Sequence, residues 1–541
     1  MENFTAPALW SPGLLPLAQA AAQTVKIARY GAAGYITAPT DDPPNTLYAA
    51  RLLGDVDIRQ SGVDAFGVGG RVAITAGLAD LDNTDHALDG AVRYGLADGR
   101  RITVRALPAP SPQASNVGTA LLGGTVMFRG VVRAIQHAPR DTARVIVGDI
   151  AQRLETPLQT TLFAGTGGME GPAELAGRPK PVALGSCFNV APVHLGNIDL
   201  GDGSLPTYAV SWRSVQDITA VRMRGVAQAL VGTAPTVGEA RVWANSGVFQ
   251  LGASADGLVT ADVEGDKTPT YVSTTAGIVR RLVQALGPGF SDAEIQAEAF
   301  SLHDTAVPGA VGWWRGPEET TAAAAVDEIL AGSGSLLAGG RDGTVRMADP
   351  LAAGSAQFAI PPGWVVSLAP VDPPAALRPF PASVAVEWGR NWAPGTDFAG
   401  SVSAADQARL AGRVSGPARA ASATIAARVA STRDLRLPGL YAAESDALAR
   451  AQRWRDLFEA GPRFFDVAID RYRGQIEIGD RGVLAWPRYN LDAGVGVVVL
   501  AWRELPAAAR LVLTVMTVPW ITVPPGGALP GFFVLDSDIL L

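Results

Sequence analysis

Short runs of alternating apolar and polar residues, each stopped by Gly, Pro, Asp or Asn, constrain this chain more than any other feature. Successive side chains of a strand point to opposite faces, so a period of two marks a strand with one buried and one wet face. The runs TVKIARY, RRITVRAL, TVMFRGVVRAI and TARVIVGDI read this way, and all lie before residue 151. They predict an antiparallel sheet or barrel. A short helix, DIAQRLETPL, ends the series, with Asp149 as its cap and Ile150 and Leu154 on one face.

The stretch from Thr160 to about Gly265 is rich in Gly and Pro and reads as a loop-rich β region, with GDGS a turn between strands. From Pro269 the pattern becomes mixed. TTAGIVRRLVQALG places Ile278, Leu282 and Leu286 on one helix face and stops at Gly287, and TTAAAAVDEILAGSG is a second helix stopping at Gly332. SLLAGGRDGTVRMADP predicts a hairpin turning at Asp342 and Gly343. Prolines crowd between Pro370 and Pro381, which excludes regular helix or a central strand and predicts an extended link between domains. A strand ASVAVEWGRNW and a polar Ala/Ser/Arg stretch follow. Next comes a helix, ESDALARAQRWRDLFEAG, with Leu448, Trp454, Leu457 and Phe458 on one face. The strands RFFDVAID, QIEIGDRGVLAW, GVGVVVLAWREL and ARLVLTVMTV close the chain.

At 541 residues the chain exceeds the roughly 250–300 that one core accommodates, so three or four domains are expected. A 48% apolar fraction supplies their cores, and a net charge of −7 argues against gripping nucleic-acid phosphate. The single cysteine excludes an intrachain disulfide framework and zinc sites built from cysteine pairs. Glu2 and the lack of early Lys or Arg are contrary to a signal peptide, and no apolar run approaches the ~18 residues of a membrane span. The expectation is a soluble chain made in the cytoplasm. Lysine occurs only at 26, 180 and 267, so basic charge is almost wholly arginine. Arginine suits interfaces, although genome base composition explains the bias more simply.

The residues open to chemistry are few. His303 and Asp304 are adjacent, and neighbours in a strand face opposite ways, which reads against an acid/base pair. Around His86, Asp80, Asp82 and Asp85 resemble the start of a calcium loop, but Asp85 and Ala91 stand where it requires Gly and Glu, so a solvated acidic turn is the reading. Cys187 and His194 form the sole thiol pairing available, yet VALGSCFNV reads as an apolar strand around a buried cysteine. No GxSxG, HExxH or Walker pattern is present. Two carboxylates for glycan cleavage remain open, since they can come from any two strands. Trp313, Trp314, Trp388 and Trp392 could stack on sugars, with core packing the preferred reading. No catalytic, cofactor-binding or metal-binding residue is assigned, and no cofactor is expected.

Several segments resemble, in order, the tail hub (baseplate or tail-tip) proteins of tailed bacteriophages and gene transfer agents. MFRGVVRAI with DTARVIVGDIAQRLETPL resembles the first hub barrel, and AELAGRPKPVALGSCFNVAPVHL with YAVSWRSVQDITAVRMRGV the stretch after it. LVTADVEGD and VDEILAGSGSLLAGGRDGTVRM resemble the next domain, and the closing strands resemble the last. The resemblance spans most of residues 20 to 520 and rests on turn-and-strand patterns in sequence rather than on a catalytic signature. It implies a mainly β, multi-domain protein with α+β parts: two tail-tube-like β-barrels with short helices, plus smaller inserted domains. The expected divisions are 1–165 (N-terminal hub barrel), 166–268 (loop-rich β domain), 269–370 (α+β domain) and 371–541 (strands and helix completing a second barrel-like domain). It further implies a non-enzymatic virion protein at the tail tip, a homotrimer joining the tail tube to the distal tip. Its partners would be the tube or distal tail protein, other tip or fibre proteins and the tape-measure protein, with DNA only in transit and no membrane insertion. No lytic or fibre-like domain is carried over. In this reading GRPKPVALGSCFNVAP is scaffold, with Gly185 allowing close backbone approach, Asn189 beginning a turn, and Arg178 and Lys180 facing a neighbouring subunit. The alternatives are a cell-envelope glycan hydrolase and a sugar-binding receptor module of the tail.

Overall fold

The computed structural model describes residues 28–522 apart from 33, 42, 64–71, 74, 95–98, 107–124, 430–432, 471–475 and 506–509. The start of the chain and most of TVKIARY therefore lie outside the described residues. The first block supplies β1 (Leu52–Ser61), β2 (Thr75–Asp82), β3 (Arg101–Ala106), β4 (Thr125–Ala138) and β5 (Thr142–Gly148). They pair antiparallel in the order β1-β2-β5-β4-β3. Alternation sets their faces: Val56, Ile58 and Gln60 of β1 and Ala79 and Leu81 of β2 are buried while the intervening positions are more exposed. The block ends in the expected short helix, Ile150–Glu155, wound as a tighter 3₁₀ turn with the Asp149 carboxylate accepting from the Ala151 N–H at 2.9 Å.

In the middle region β6 (Val182–Val190) pairs antiparallel with β7 (Val259–Asp266), the central strand of a five-stranded sheet, and with β8 (Gly312–Arg315) at its edge. Gly185 on β6 has φ +66°, and a Cβ there would stand 2.1 Å from the Val311 carbonyl oxygen, so only glycine fits this approach. Asn189 lies inside β6, at a bulge with φ +54°, rather than at the start of a turn. The GDGS turn joins Val193–Asp199 to Ser204–Ala209 in a second five-stranded sheet, with Asp199 accepting from the Gly201 N–H at 2.8 Å.

The two expected helices form as α1 (Thr275–Arg281), capped by Thr274 and extended by a wider turn to Leu286, and α3 (Ala322–Leu330), capped by Thr321. Between them α2 (Ala297–Ala306) takes up the His303–Asp304 pair, which is therefore helical, not extended. The hairpin forms as β9 (Leu336–Gly339) and β10 (Val345–Ala348), with Asp342 accepting from Thr344 in the turn. After β11 (Phe358–Ile360), the proline-rich link begins as a strand, β12 (Val365–Val371). Pro370 is tolerated because β12 is an edge strand.

Next, β13 (Ser383–Arg390), β14 (Val414–Ala421) and β15 (Asp434–Tyr441) form a three-stranded sheet covered by α4 (Glu444–Ala460). Ala447, Ala451, Trp454, Leu457 and Phe458 form its buried stripe, and Gly461 ends it in the left-handed region. The chain closes with β16 (Phe464–Asp470), β17 (Arg481–Trp486), β18 (Leu491–Leu505) and β19 (Arg510–Thr517). QIEIGDRGVLAW is strand only from Arg481, because Asp480 accepts from the Glu477 N–H and folds the preceding residues into a turn.

The protein is mainly β, as expected, but its first and last blocks do not form two closed barrels. They make one eleven-stranded sheet, β12-β16-β19-β18-β1-β2-β5-β4-β3, with β17 and β11 attached beside β18. The seam is the antiparallel pairing of β18 with β1, Trp502 opposite Gln60 and Glu504 opposite Ile58. One apolar core spans it, holding Ile58, Phe128 and Val145 from the first block with Phe465, Leu484 and Leu513 from the last.

A buried polar cluster locks the seam. The Trp502 indole N–H donates to Gln60 at 3.1 Å, and the Gln60 amide donates to the Gly339 carbonyl at 2.7 Å. Arg341, 2% exposed, pairs with Glu504 and lies 3.7 Å from the Trp502 ring centroid. Glu504→Ala removes a buried carboxylate partner of Arg341, which is expected to cost about 3–5 kcal/mol in urea unfolding. Asp57→Ala, which breaks the half-exposed Arg503–Asp57 pair on the outer face of the same two strands, is expected to cost under about 1 kcal/mol. Equal losses would contradict this account of the seam.

Candidate functional site

Most residues singled out in sequence are held by contacts within the chain. Cys187 is buried, its thiol pushed up to about 12 by burial, and its sulfur lies 3.4 Å from the Leu184 carbonyl oxygen. His194 belongs to a different sheet, where its ring tilts against that of Tyr208. Near His86, Asp80 binds Arg144 at 2.7 Å, Asp85 binds Arg51, and Asp82 accepts from the Thr84 N–H. The acids of the apparent calcium loop are thus spent on arginine and backbone. Among the described residues no three His, Cys, Asp or Glu side chains are grouped to hold a metal.

Trp313 and Trp314 are buried rather than offered to a sugar. Their indole N–H groups donate to Glu328 and to the Val210 carbonyl, both at 3.0 Å. Lys180, expected at a subunit contact, binds Glu170 at 2.6 Å within the chain, whereas Arg178 is exposed. Trp388 and Trp392 are half-buried and line a small cleft beside β6 and β13.

A larger cleft of about 610 Å³ lies between α2, β10 and α4. Its lining includes His303, Arg346, Asp349, Arg450, Arg453 and Asp480. Arg450 rises from the apolar stripe of α4 and grips Asp349 at 2.5 Å, both side chains almost wholly buried, and Arg346 holds Asp480 at 2.8 Å. Burial works to raise the Asp349 carboxyl, but the charge and hydrogen bonds of Arg450 outweigh it and hold it below the ordinary range. His303 stands 2.7 Å from the Ser335 hydroxyl, and burial pulls its pKa down to about 4, so it is neutral near pH 7. Its neighbour Asp304 faces the start of α1 instead, and burial pushes its carboxyl upward.

Glycan hydrolysis needs one protonated carboxyl beside an ionised one. The carboxyls that burial pushes upward, Asp149, Asp304 and Glu477, are absent from the lining of both clefts. The arrangement is one of internal ion pairs joining α4 to the β10 hairpin, and β10 to the turn before β17. Sequence reasoning missed them, although Arg450 stood three residues from Ala447 and four from Trp454 on the apolar face of α4.

Two buried groups give the fold opposing pH dependences. Unfolded His303 binds a proton near pH 6.5 and the folded form only near 4, so stability is lost as pH falls through that window. Glu477 is the reverse: burial raises it from 4.5 to about 7, so the folded state holds the extra proton and stability is lost as pH rises from 4.5 to 7. Thermal melts should show the Tm of His303→Gln gaining on the wild type as pH drops from 6.5 to 4. That of Glu477→Gln should gain as pH rises from 4.5 to 7. Differences that do not vary with pH would contradict both assignments.

No protein-family model and no curated sequence matches the chain. Among solved structures it is similar to a 43 kDa prophage tail protein from Shewanella oneidensis, at 9% identity and a TM-score of 0.35, covering 88% of this chain and 97% of that one. It is similar to a tail protein from Neisseria meningitidis at 8% identity and a TM-score of 0.34, covering 86% and 93%. A chain of the native gene transfer agent virion matches at 15% identity and a TM-score of 0.37, covering 64% and 87%.

Proposed function

We propose that this chain is a structural tail protein of a phage or gene transfer agent, acting without turnover. In this reading three copies form a hub ring that joins the tail tube to the tip and surrounds the passage for DNA and the tape-measure protein. The observation that carries the reading is the eleven-stranded sheet, which joins the first and last described blocks of the chain and has β12 and β3 as its outermost strands. Among the described residues neither has a strand on its outer side, and each therefore presents backbone donors and acceptors to a neighbour. Meeting of β12 in one copy with β3 in the next is a heterologous contact, and such contacts close into rings when the rotation permits. The order of hub-like segments in the sequence supports the same role, as does the pairing of Asp349 and Asp480 in the larger cleft with arginines. The net charge of −7 suits a conduit, since a basic wall would retain the phosphate backbone.

Native mass spectrometry of the purified chain, alone and with its tail partners, is expected to show a species of three times the 56.0 kDa chain mass. Val366 on β12 is 48% exposed, and Val366→Lys should move the population towards single chains while changing Tm by only about 1–2 °C. Single chains under every condition would contradict the ring.

A further inference from the structure

The cleft containing Trp388 and Trp392 is enclosed by parts that other interactions hold rigid. Its walls come from the end of β6, the middle of β7, the end of β13 and the end of β15, and it has a volume of about 220 Å³. Asn189 bridges the two sheets beneath it, donating to the Asn391 side chain at 2.8 Å and to the Ala393 carbonyl at 2.9 Å, so the site is preformed.

What distinguishes the cleft is the polar capacity it leaves unused. Asp262 is occupied by Arg222 and the Asn189 N–H. Among the described residues, no hydrogen bond or ion pair engages the carboxylate of Glu264 or the guanidinium groups of Arg390 and Arg409, which lie over the rings of Trp392 and Phe188 with their N–H edges free. The buried indole N–H of Trp392 and the hydroxyl of Tyr441, a residue 2% exposed, are also without partners. Buried donors and acceptors left unmatched are costly, so these groups are suited to a ligand that satisfies them. One acceptor, two cations, an indole N–H and a hydroxyl, set against the ring of Trp388, disfavour an apolar guest. A simple anion would face Glu264, and a simple cation would face the two arginines.

We infer that this cleft is a binding site for one ring of a neutral saccharide. A sugar hydroxyl donates to Glu264, others accept from Arg390, Arg409 and Trp392, and the C–H face of the ring lies on Trp388. The site is contained within one chain and does not depend on assembly into a ring.

The test is titration of the purified protein, followed by tryptophan fluorescence and calorimetry. The probes are D-glucose, N-acetyl-D-glucosamine and L-rhamnose, with D-glucuronate and sodium sulfate as anionic comparisons. At least one neutral sugar is expected to bind saturably with a Kd of about 1 mM or tighter. Glu264→Gln and Trp388→Ala should each weaken it at least about tenfold, whereas Arg481→Ala in the larger cleft should not. Trp388→Tyr, which keeps an aromatic face, should retain most of the affinity and covers the case in which Trp388→Ala fails to fold. Binding of the anions alone, a neutral-sugar response unchanged by Glu264→Gln, or no saturable response to any neutral sugar would overturn the assignment.

Discussion

The pairing of β18 with β1 is the constraint on which the architecture depends. Each block carries strands with one apolar face, and an open sheet of so few strands leaves such a face partly in water. Joining the blocks lets Ile58, Phe128, Phe465 and Leu513 share one core. It also fixes register, because the Gln60–Trp502 pair can form only when these residues stand opposite each other, and a slip of one position would turn every side chain of the strand to the wrong face. The β9–β10 hairpin completes the joint: Gly339 accepts from Gln60, and Arg341 meets Glu504.

Charge buried at the seam and around the larger cleft does not by itself argue for high stability, since desolvating an ion pair offsets most of its Coulomb attraction. Its effect is on specificity. Arg341, Arg346 and Arg450 each reach a carboxylate distant in sequence, so misplacing any of these segments would strand a charge in a dry interior. The same long side chains supply donors in a fixed plane, which suits arginine better than lysine. The chain's arginine bias thus has a structural use, whatever its genomic origin.

Local features were legible in the sequence where one short-range interaction decides them. The Asp149 cap, the GDGS turn, the Asp342 turn and the apolar stripe of α4 all appeared where their side chains required. The union of the blocks was not legible, because strand alternation specifies which face is buried but not which strand lies alongside. The proline-rich link begins as an edge strand, through Pro370, for the related reason that an edge position tolerates a missing N–H. The His303–Asp304 segment is helical against expectation, its Phe300 and His303 buried under a tertiary contact that no local pattern announced. The saccharide cleft was half visible: Trp388 and Trp392 were noted, but Glu264 lies more than a hundred residues away on β7.

Ring formation through the two outermost strands of the long sheet is the central claim, and its most direct test is crosslinking between copies. Thr103 on β3 and Val366 on β12 are both exposed, and the native Cys187 is buried with its thiol pushed up to about 12, so it stays silent. A chain carrying Thr103→Cys and Val366→Cys, treated with a short bis-maleimide in assembled tails, should give a ladder that ends at three linked chains, while either single variant gives none. Unlinked chains from the double variant, or linked pairs from a single variant, would contradict the head-to-tail ring.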